Sequence, residues 1–179
     1  METLCRYSTL LILCILLIPG VASSAEPCYR GVITIPAASM QPRFNTYSIN
    51  NVGGFLNSNS FGHVNFYAPL VLPNRARITK IVLDVYDNST TASIDVHLKR
   101  SSYAAASTLV DFDTTAAAAP GDNRYTKGNL NILINNLNYS YFFDLHFWNV
   151  GSTSNRFYRL IVYFNLFDCG SVVIVTPMN

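Results

Sequence analysis

His97 and His146 stand in the same local pattern, each two residues from an aspartate: Asp95 with His97, and Asp144 with His146. Residues two apart on a strand share a face, so each pair presents an imidazole beside a carboxylate. If the two strands were neighbours, two imidazoles and two carboxylates would converge, a donor set that suits zinc. The same spacing also describes any solvent-facing strand surface, and that is the reading the sequence favours. His63, in Gly62-His63-Val64-Asn65, has no partner visible along the chain. Oxygen donors at Asp84, Asp87 and Asn88, at Asp111-Phe112-Asp113 and at Asp122-Asn123 fall short of the ligand count of a dedicated calcium loop. Asp87 and Asn88 are better suited to bonding their own turn backbone. A Ser/His/Asp hydrolase would find its residue types here, but no Gly-x-Ser-x-Gly elbow positions them. A two-carboxylate glycosidase would have to rely on aspartates, because Glu26 is the only glutamate after residue 25. No catalytic residue, metal set or cofactor is assigned, and the expectation is a protein that is not an enzyme.

Aromatic side chains carry the stronger signal. Phe142 and Trp148 fall opposite the main apolar row of their segment. Val82 and Tyr86 do the same in a second segment, and Ile161 and Tyr163 in a third. Strands that are apolar on both faces have their outer face covered. The cover could be a chain segment such as Asn45 to Ser60, a second copy in a homo-oligomer, or a carbohydrate stacked on Tyr86, Trp148 or Tyr163. Trp148 is the sole tryptophan.

The elements that would position these residues are strands. Ile81, Leu83 and Val85 alternate with Lys80, Val82, Asp84 and Tyr86. Ile94, Val96 and Leu98 alternate with Asp95, His97 and Lys99. Asp87-Asn88-Ser89-Thr90-Thr91 between them reads as a hairpin loop. Tyr139, Tyr141, Phe143, Leu145 and Phe147 share a face in a third strand, and Tyr158, Leu160, Val162 and Phe164 in a fourth, joined through residues 151–155. Weaker strands are expected at 32–35, 63–72, 109–112, 130–134 and 172–175, with one more around 43–49. The Ala116–Ala119 run, followed by Pro120-Gly121, reads as a loop flank. Residues 37–60 suggest a long loop or an edge strand.

Composition agrees with this reading. Charged residues are 12% of the chain, about half the usual share, and aromatics are 13%. Polarity comes instead from Asn, Ser and Thr, which suit turns and the solvent faces of strands. A formal charge of +2 leaves no electrostatic footprint for nucleic acid. Arg6, the apolar run Leu10 to Ile18 and the small residues up to Ala25 form a secretory leader with cleavage expected after Ala25. That run is too short to span a bilayer, which takes roughly 20 residues. The expected product is a secreted or periplasmic domain, 26–179, with no membrane span. It keeps two cysteines, Cys28 and Cys169, near opposite ends, and in an exported domain these are expected to pair. Asn88-Ser89-Thr90 and Asn138-Tyr139-Ser140 match the glycosylation acceptor pattern, which has meaning only in a eukaryotic secretory host.

Several phrases carry a resemblance. Ile35-Pro36-Ala37-Ala38-Ser39-Met40-Gln41-Pro42-Arg43 is like "IPAAAF-x-PR". Tyr67 to Thr79 is like "YAPVQLPDGAVIT", and Val85-Tyr86-Asp87-Asn88-Ser89 is like "YYYDNS". Asn138 to Phe142 and Arg159 to Tyr163 are like "NYAYYL" and "GVRIYY". Together they resemble a widespread group of exported bacterial β-sandwich proteins. The resemblance implies fold and export and carries over no catalytic residue. Asn74-Arg75 departs from it, standing where the group has an acidic-Gly turn. The expected protein is a single antiparallel β-sandwich, jelly-roll-like, with a binding or structural role. The alternatives are a carbohydrate-binding module and, behind it, a small secreted hydrolase.

Overall fold

The computed structural model describes residues 26–45, 49–52, 54–58, 62–89, 92–114, 120–150 and 155–168. The leader, Cys169, the Ala116–Ala119 run and the strand expected at 172–175 lie outside the described residues. Among the described residues there are twelve strands: β1 (Tyr29–Pro36), β2 (Gln41–Pro42), β3 (Ile49–Val52), β4 (Phe55–Ser58), β5 (Gly62–Pro69), β6 (Arg77–Asp87), β7 (Ser93–Ser101), β8 (Ala106–Asp113), β9 (Gly121–Lys127), β10 (Ile132–Leu133), β11 (Ser140–Val150) and β12 (Asn155–Leu166). A single 3-10 turn, Ala37–Ser39, is the only helical element among the described residues. Every pairing is antiparallel, in two sheets. The front sheet is built on β6 and β12, flanked by β9 and β10 on one side and by β1, β4 and β3 on the other. The back sheet runs β2-β5-β11-β7-β8. Strands β5, β6, β7 and then β8, β9 switch sheets in turn, which is the jelly-roll habit.

The alternating patterns decide which side of each strand is buried. Ile81, Leu83 and Val85 of β6 and Phe157, Leu160 and Val162 of β12 are all fully buried. They face Phe66, Ile94, Val96, Leu98, Phe143, Leu145 and Phe147 of the back sheet, also fully buried. Each such side chain contributes roughly 1.5–3 kcal/mol of transfer free energy, so this shared layer is the cohesive element.

Two expectations change. First, β6 and β7 are not a hairpin: β6 pairs with β12 and β9, while β7 pairs with β11 and β8. Alternation fixes a buried face but not a sheet, and inward faces of opposite sheets satisfy it as well as one hairpin does. The crossover is held by side chains. Asp87 accepts from the Ser89 backbone N–H at 3.0 Å, Ser89 Oγ accepts from Ala92 at 2.8 Å, and buried Asn155 donates to the Ala92 carbonyl at 3.1 Å. Second, Tyr158 does not share the inner face with Leu160, Val162 and Phe164. The register slips between Phe157 and Arg159, so Phe157 takes the core position and Tyr158 turns outward, as a β-bulge requires. The 37–60 stretch supplies the 3-10 turn, β2 and the β3–β4 hairpin on the edge of the front sheet.

At the outer end of the first and last described strands, the Cys28 backbone N–H donates to the Leu166 carbonyl at 2.9 Å, which continues the β1–β12 ladder. The first and last described strands therefore lie side by side.

Candidate functional site

The outer face of the front sheet holds a carboxylate that solvent barely reaches. Asp84 projects from the solvent side of β6 yet is only 8% exposed. The register explains this, since Arg124 of β9 and Arg159 of β12 are its direct partners on either side. Arg124 donates through Nε and Nη2 at 2.6 and 2.9 Å, and Arg159 through Nε at 2.8 Å. The Arg124 hydrogen bond, helped by Arg159 and opposed by burial, holds Asp84 below the usual carboxylate range. Arg124 Nη1 and both terminal nitrogens of Arg159 stand outside these three bonds. Beside them the Tyr158 hydroxyl donates to Asp122 at 2.9 Å. Thr34, Asp84, Asp122, Arg124, Tyr158 and Arg159 line an open groove of about 690 Å³, within the size range of small-ligand sites.

A second hollow of about 460 Å³ lies further along β1 and β12, lined by Arg30, Val32, Lys80 and Tyr163. Lys80 Nζ sits 3.8 Å above the Tyr163 ring. Arg159 and Tyr163 are four residues apart on β12, about 13 Å at strand rise. Tyr86 lies near the opposite end of the sheet, with the Arg156 guanidinium 5.0 Å from its ring and 4.9 Å from that of Phe55. Tyr86 and Tyr163 therefore share a sheet, whereas Trp148 belongs to the back one. The three rings proposed from the sequence do not form one platform.

On the back sheet the two Asp/His strands are neighbours. Asp144 is opposite His97, and His146 is opposite Asp95. The groups line up in a chain: His63 Nε2 is 2.7 Å from His146 Nδ1, His146 Nε2 is 2.9 Å from Asp144 Oδ1, and Lys99 pairs with the other Asp144 oxygen, while Asp144 Oδ1, His146 Nε2, Asp95 Oδ1 and His97 Nδ1 are buried without a hydrogen bond of good geometry. His97 Nε2 is 3.2 Å from Asp111, and the Trp148 indole donates to Asp95. The Trp148 ring lies flat on His63, with centroids 3.7 Å and planes 3° apart. Burial pushes Asp95 up to about 6, reinforced by the charge of Asp113 and opposed by the Trp148 hydrogen bond. Burial alone would raise Asp144 as well, but bonds from His146 and Lys99 outweigh it and hold that carboxyl low. His63 and His97 are both lowered, chiefly by burial.

Among the described residues, no three or more His, Cys, Asp or Glu side chains gather so as to hold a metal. Of the oxygen donors considered for calcium, Asp84 bonds two arginines, Asp87 accepts from Ser89 and Asp122 accepts from Tyr158. Sequence reasoning missed β9, and with it Arg124, because its residues are polar or half-buried on both faces. The alternation of Asp122, Arg124 and Thr126 with Asn123 and Tyr125 was the available signal. His63 found its partners only through the β5–β11 pairing.

The class these observations define is an antiparallel β-sandwich with preset polar surfaces on both outer faces. No family model matches the chain. No curated protein matches it either. It is similar to the C-terminal CBM6 of LamC, a marine laminarinase from Zobellia galactanivorans, with a TM-score of 0.48 and 12% identity over 74% of this chain and 98% of that one. It is also similar to the CBM36-1 domain of a multidomain xylanase from the hindgut metagenome of Trinervitermes trinervoides (0.43, 12%, 74% and 96%). A third is the low-affinity xylan binding module CBM86 from Roseburia intestinalis (0.43, 11%, 76% and 96%). At these scores and identities no ligand transfers to this chain.

Proposed function

We infer that the protein is an exported, non-catalytic binding module whose ligand is a carbohydrate chain laid along β1 and β12 on the front sheet. One observation carries the reading: Asp84 fixes two guanidinium groups side by side at the groove, leaving planar N–H donors directed past the carboxylate. Donors already held in place lose little entropy on binding, and neighbouring sugar hydroxyls can accept them in pairs. Tyr163 and Val32, which is 56% exposed, give the second hollow the apolar surface that a sugar ring's C–H face can cover. Export is supported by the leader pattern.

The test is calorimetric titration of the processed protein with a panel of soluble polysaccharides. A member of the panel binds, and Arg124→Ala and Arg159→Ala each weaken it about tenfold or more, the value of a hydrogen bond to a charged group. Trp148→Ala, on the other sheet, leaves affinity unchanged. Binding that Trp148→Ala abolishes and the arginine variants spare would move the site to the back sheet. No binding across the panel removes the carbohydrate reading.

Two structural proposals accompany it. Cys28 and Cys169 form a disulfide, a proposal supported by the register that sets Tyr29 opposite Leu166 and so brings Cys28 beside the strand that leads toward Cys169. Self-assembly is supported by Val71, Leu133 and Leu137, which are 79%, 53% and 85% exposed. Intact mass and sedimentation of the processed chain test both: free thiols remove the first, and a single monomeric species removes the second.

A further inference from the structure

We propose that His63 and His146 form a two-imidazole site for a divalent transition cation of the copper, nickel and zinc type on the outer face of the back sheet. His63 Nε2 and His146 Nδ1 point at one another from adjacent strands, 2.7 Å apart, with ring centroids at 4.8 Å. Two imidazole nitrogens bound to one such ion at about 2.0–2.1 Å, with a near-right angle between them, stand about 3 Å apart. A few tenths of an ångström of separation and a turn of the rings therefore admit the ion. The proton now held between the two nitrogens passes through solvent to Nδ1 of His63, so that each ring stays neutral and gives one lone pair to the ion.

The outer shell is already built. His146 Nε2 lies 2.9 Å from Asp144 Oδ1, while the other Asp144 oxygen is taken by Lys99. Asp144 is 3% exposed, so little water competes for it. A carboxylate on the far nitrogen of an imidazole fixes its tautomer and raises its basicity, the usual support behind a ligating histidine. Asp144 Oδ1, without another hydrogen bond of its own, stands at the far nitrogen of His146, placed to take up this role when Nδ1 turns to the ion. His63, although exposed, is held by the Trp148 ring stacked on it, and that indole is tied to Asp95. Imidazole donors select copper, nickel and zinc over magnesium and calcium. His97 is not a ligand, because it stands edge-on to His146 with its Nε2 on Asp111. Water fills the remaining positions, so the site is an open one.

The molecule supplies its own readout. All three histidines of the chain lie in this cluster, and Trp148 is the sole tryptophan, in van der Waals contact with His63. Untagged processed protein is titrated with Cu²⁺ while indole emission is followed, then with Zn²⁺ as competitor. The expected result is saturable one-to-one quenching that a chelator reverses and Zn²⁺ displaces. His63→Gln and His146→Gln each weaken it by about tenfold or more, and His97→Gln leaves it in place. Circular dichroism confirms that each variant is folded, and His63→Gln, at an exposed position, carries the test if His146→Gln does not fold. Quenching that stays linear to millimolar Cu²⁺, or that survives loss of His63, overturns the site. A loss with His97→Gln equal to the other two overturns the two-imidazole geometry.

Discussion

Asp84 and Asp95 are both aspartates on the outer face of a strand, and their surroundings push them in opposite directions. Asp84 has a guanidinium on either side and stays ionised. Asp95 is half-buried beside Asp113, and the Trp148 indole N–H is the main group that offsets the loss of water. With its carboxyl raised to about 6, the folded chain takes up this proton well before the unfolded chain, whose aspartates titrate near about 4. Between those values the folded state binds more protons, so this group adds stability as pH falls from above 6 toward 4. His63 and His97, lowered by burial, act the other way and lose stability as pH falls below about 6.5. Comparing one variant with its parent separates the two effects. Asp95→Asn can still accept from the indole but removes the buried charge. It is expected to raise the melting temperature at pH 7.5, with the gain gone at pH 4.5. A variant no more stable than its parent at pH 7.5 contradicts the reading of Asp95. The Asp/His spacing on each strand was legible in the sequence. That the pairs would be neighbours, and would bond one another, was not, because cross-strand partners are set by sheet order.

Among the elements, β1 is fixed by a glycine. A Cβ at Gly31 would lie 2.2 Å from the tip of the Phe164 ring, so the ring packs directly on the β1 backbone opposite it. Gly31→Ala forces Phe164 aside and is expected to cost about 1–3 kcal/mol, the range for overpacking a filled site. Thermal or denaturant unfolding checks this, and parental stability would mean that the ring has room to move. Arg75 takes a left-handed conformation, φ 66°, at the Asn74-Arg75 turn. Its backbone N–H donates to the Ile134 carbonyl, and its guanidinium pairs with Asp168. Strand positions and their buried faces were readable because alternation is a local property. The bulge at 157–159 was not, since a register slip depends on what β6 presents opposite. It matters for the site: it turns Tyr158 outward and places Arg159 against Asp84. Strand β9 escaped notice because a strand with little apolar alternation reads like a loop, yet it carries the second arginine.

At the scale of the whole molecule, two sheets share one apolar layer, and each outer face is polar in a different way. The front presents two hollows about 13 Å apart along β12, one centred on the Asp84 clamp and the other on Tyr163. The back presents linked imidazoles and carboxylates. The sandwich class was legible because low charge, abundant Asn, Ser and Thr, and period-two strands all pointed the same way. The location of a binding surface was not, because aromatic residues marked both sheets and only the fold separates Trp148 from Tyr86 and Tyr163. The most direct test of the carbohydrate reading is the amide chemical-shift map of the labelled, processed protein while a bound polysaccharide is added. Shifts confined to the front sheet around Thr34, Arg124, Tyr158, Arg159 and Tyr163 are predicted. A map centred on His63, His146 and Trp148, or no shift with any polysaccharide of the panel, would contradict it.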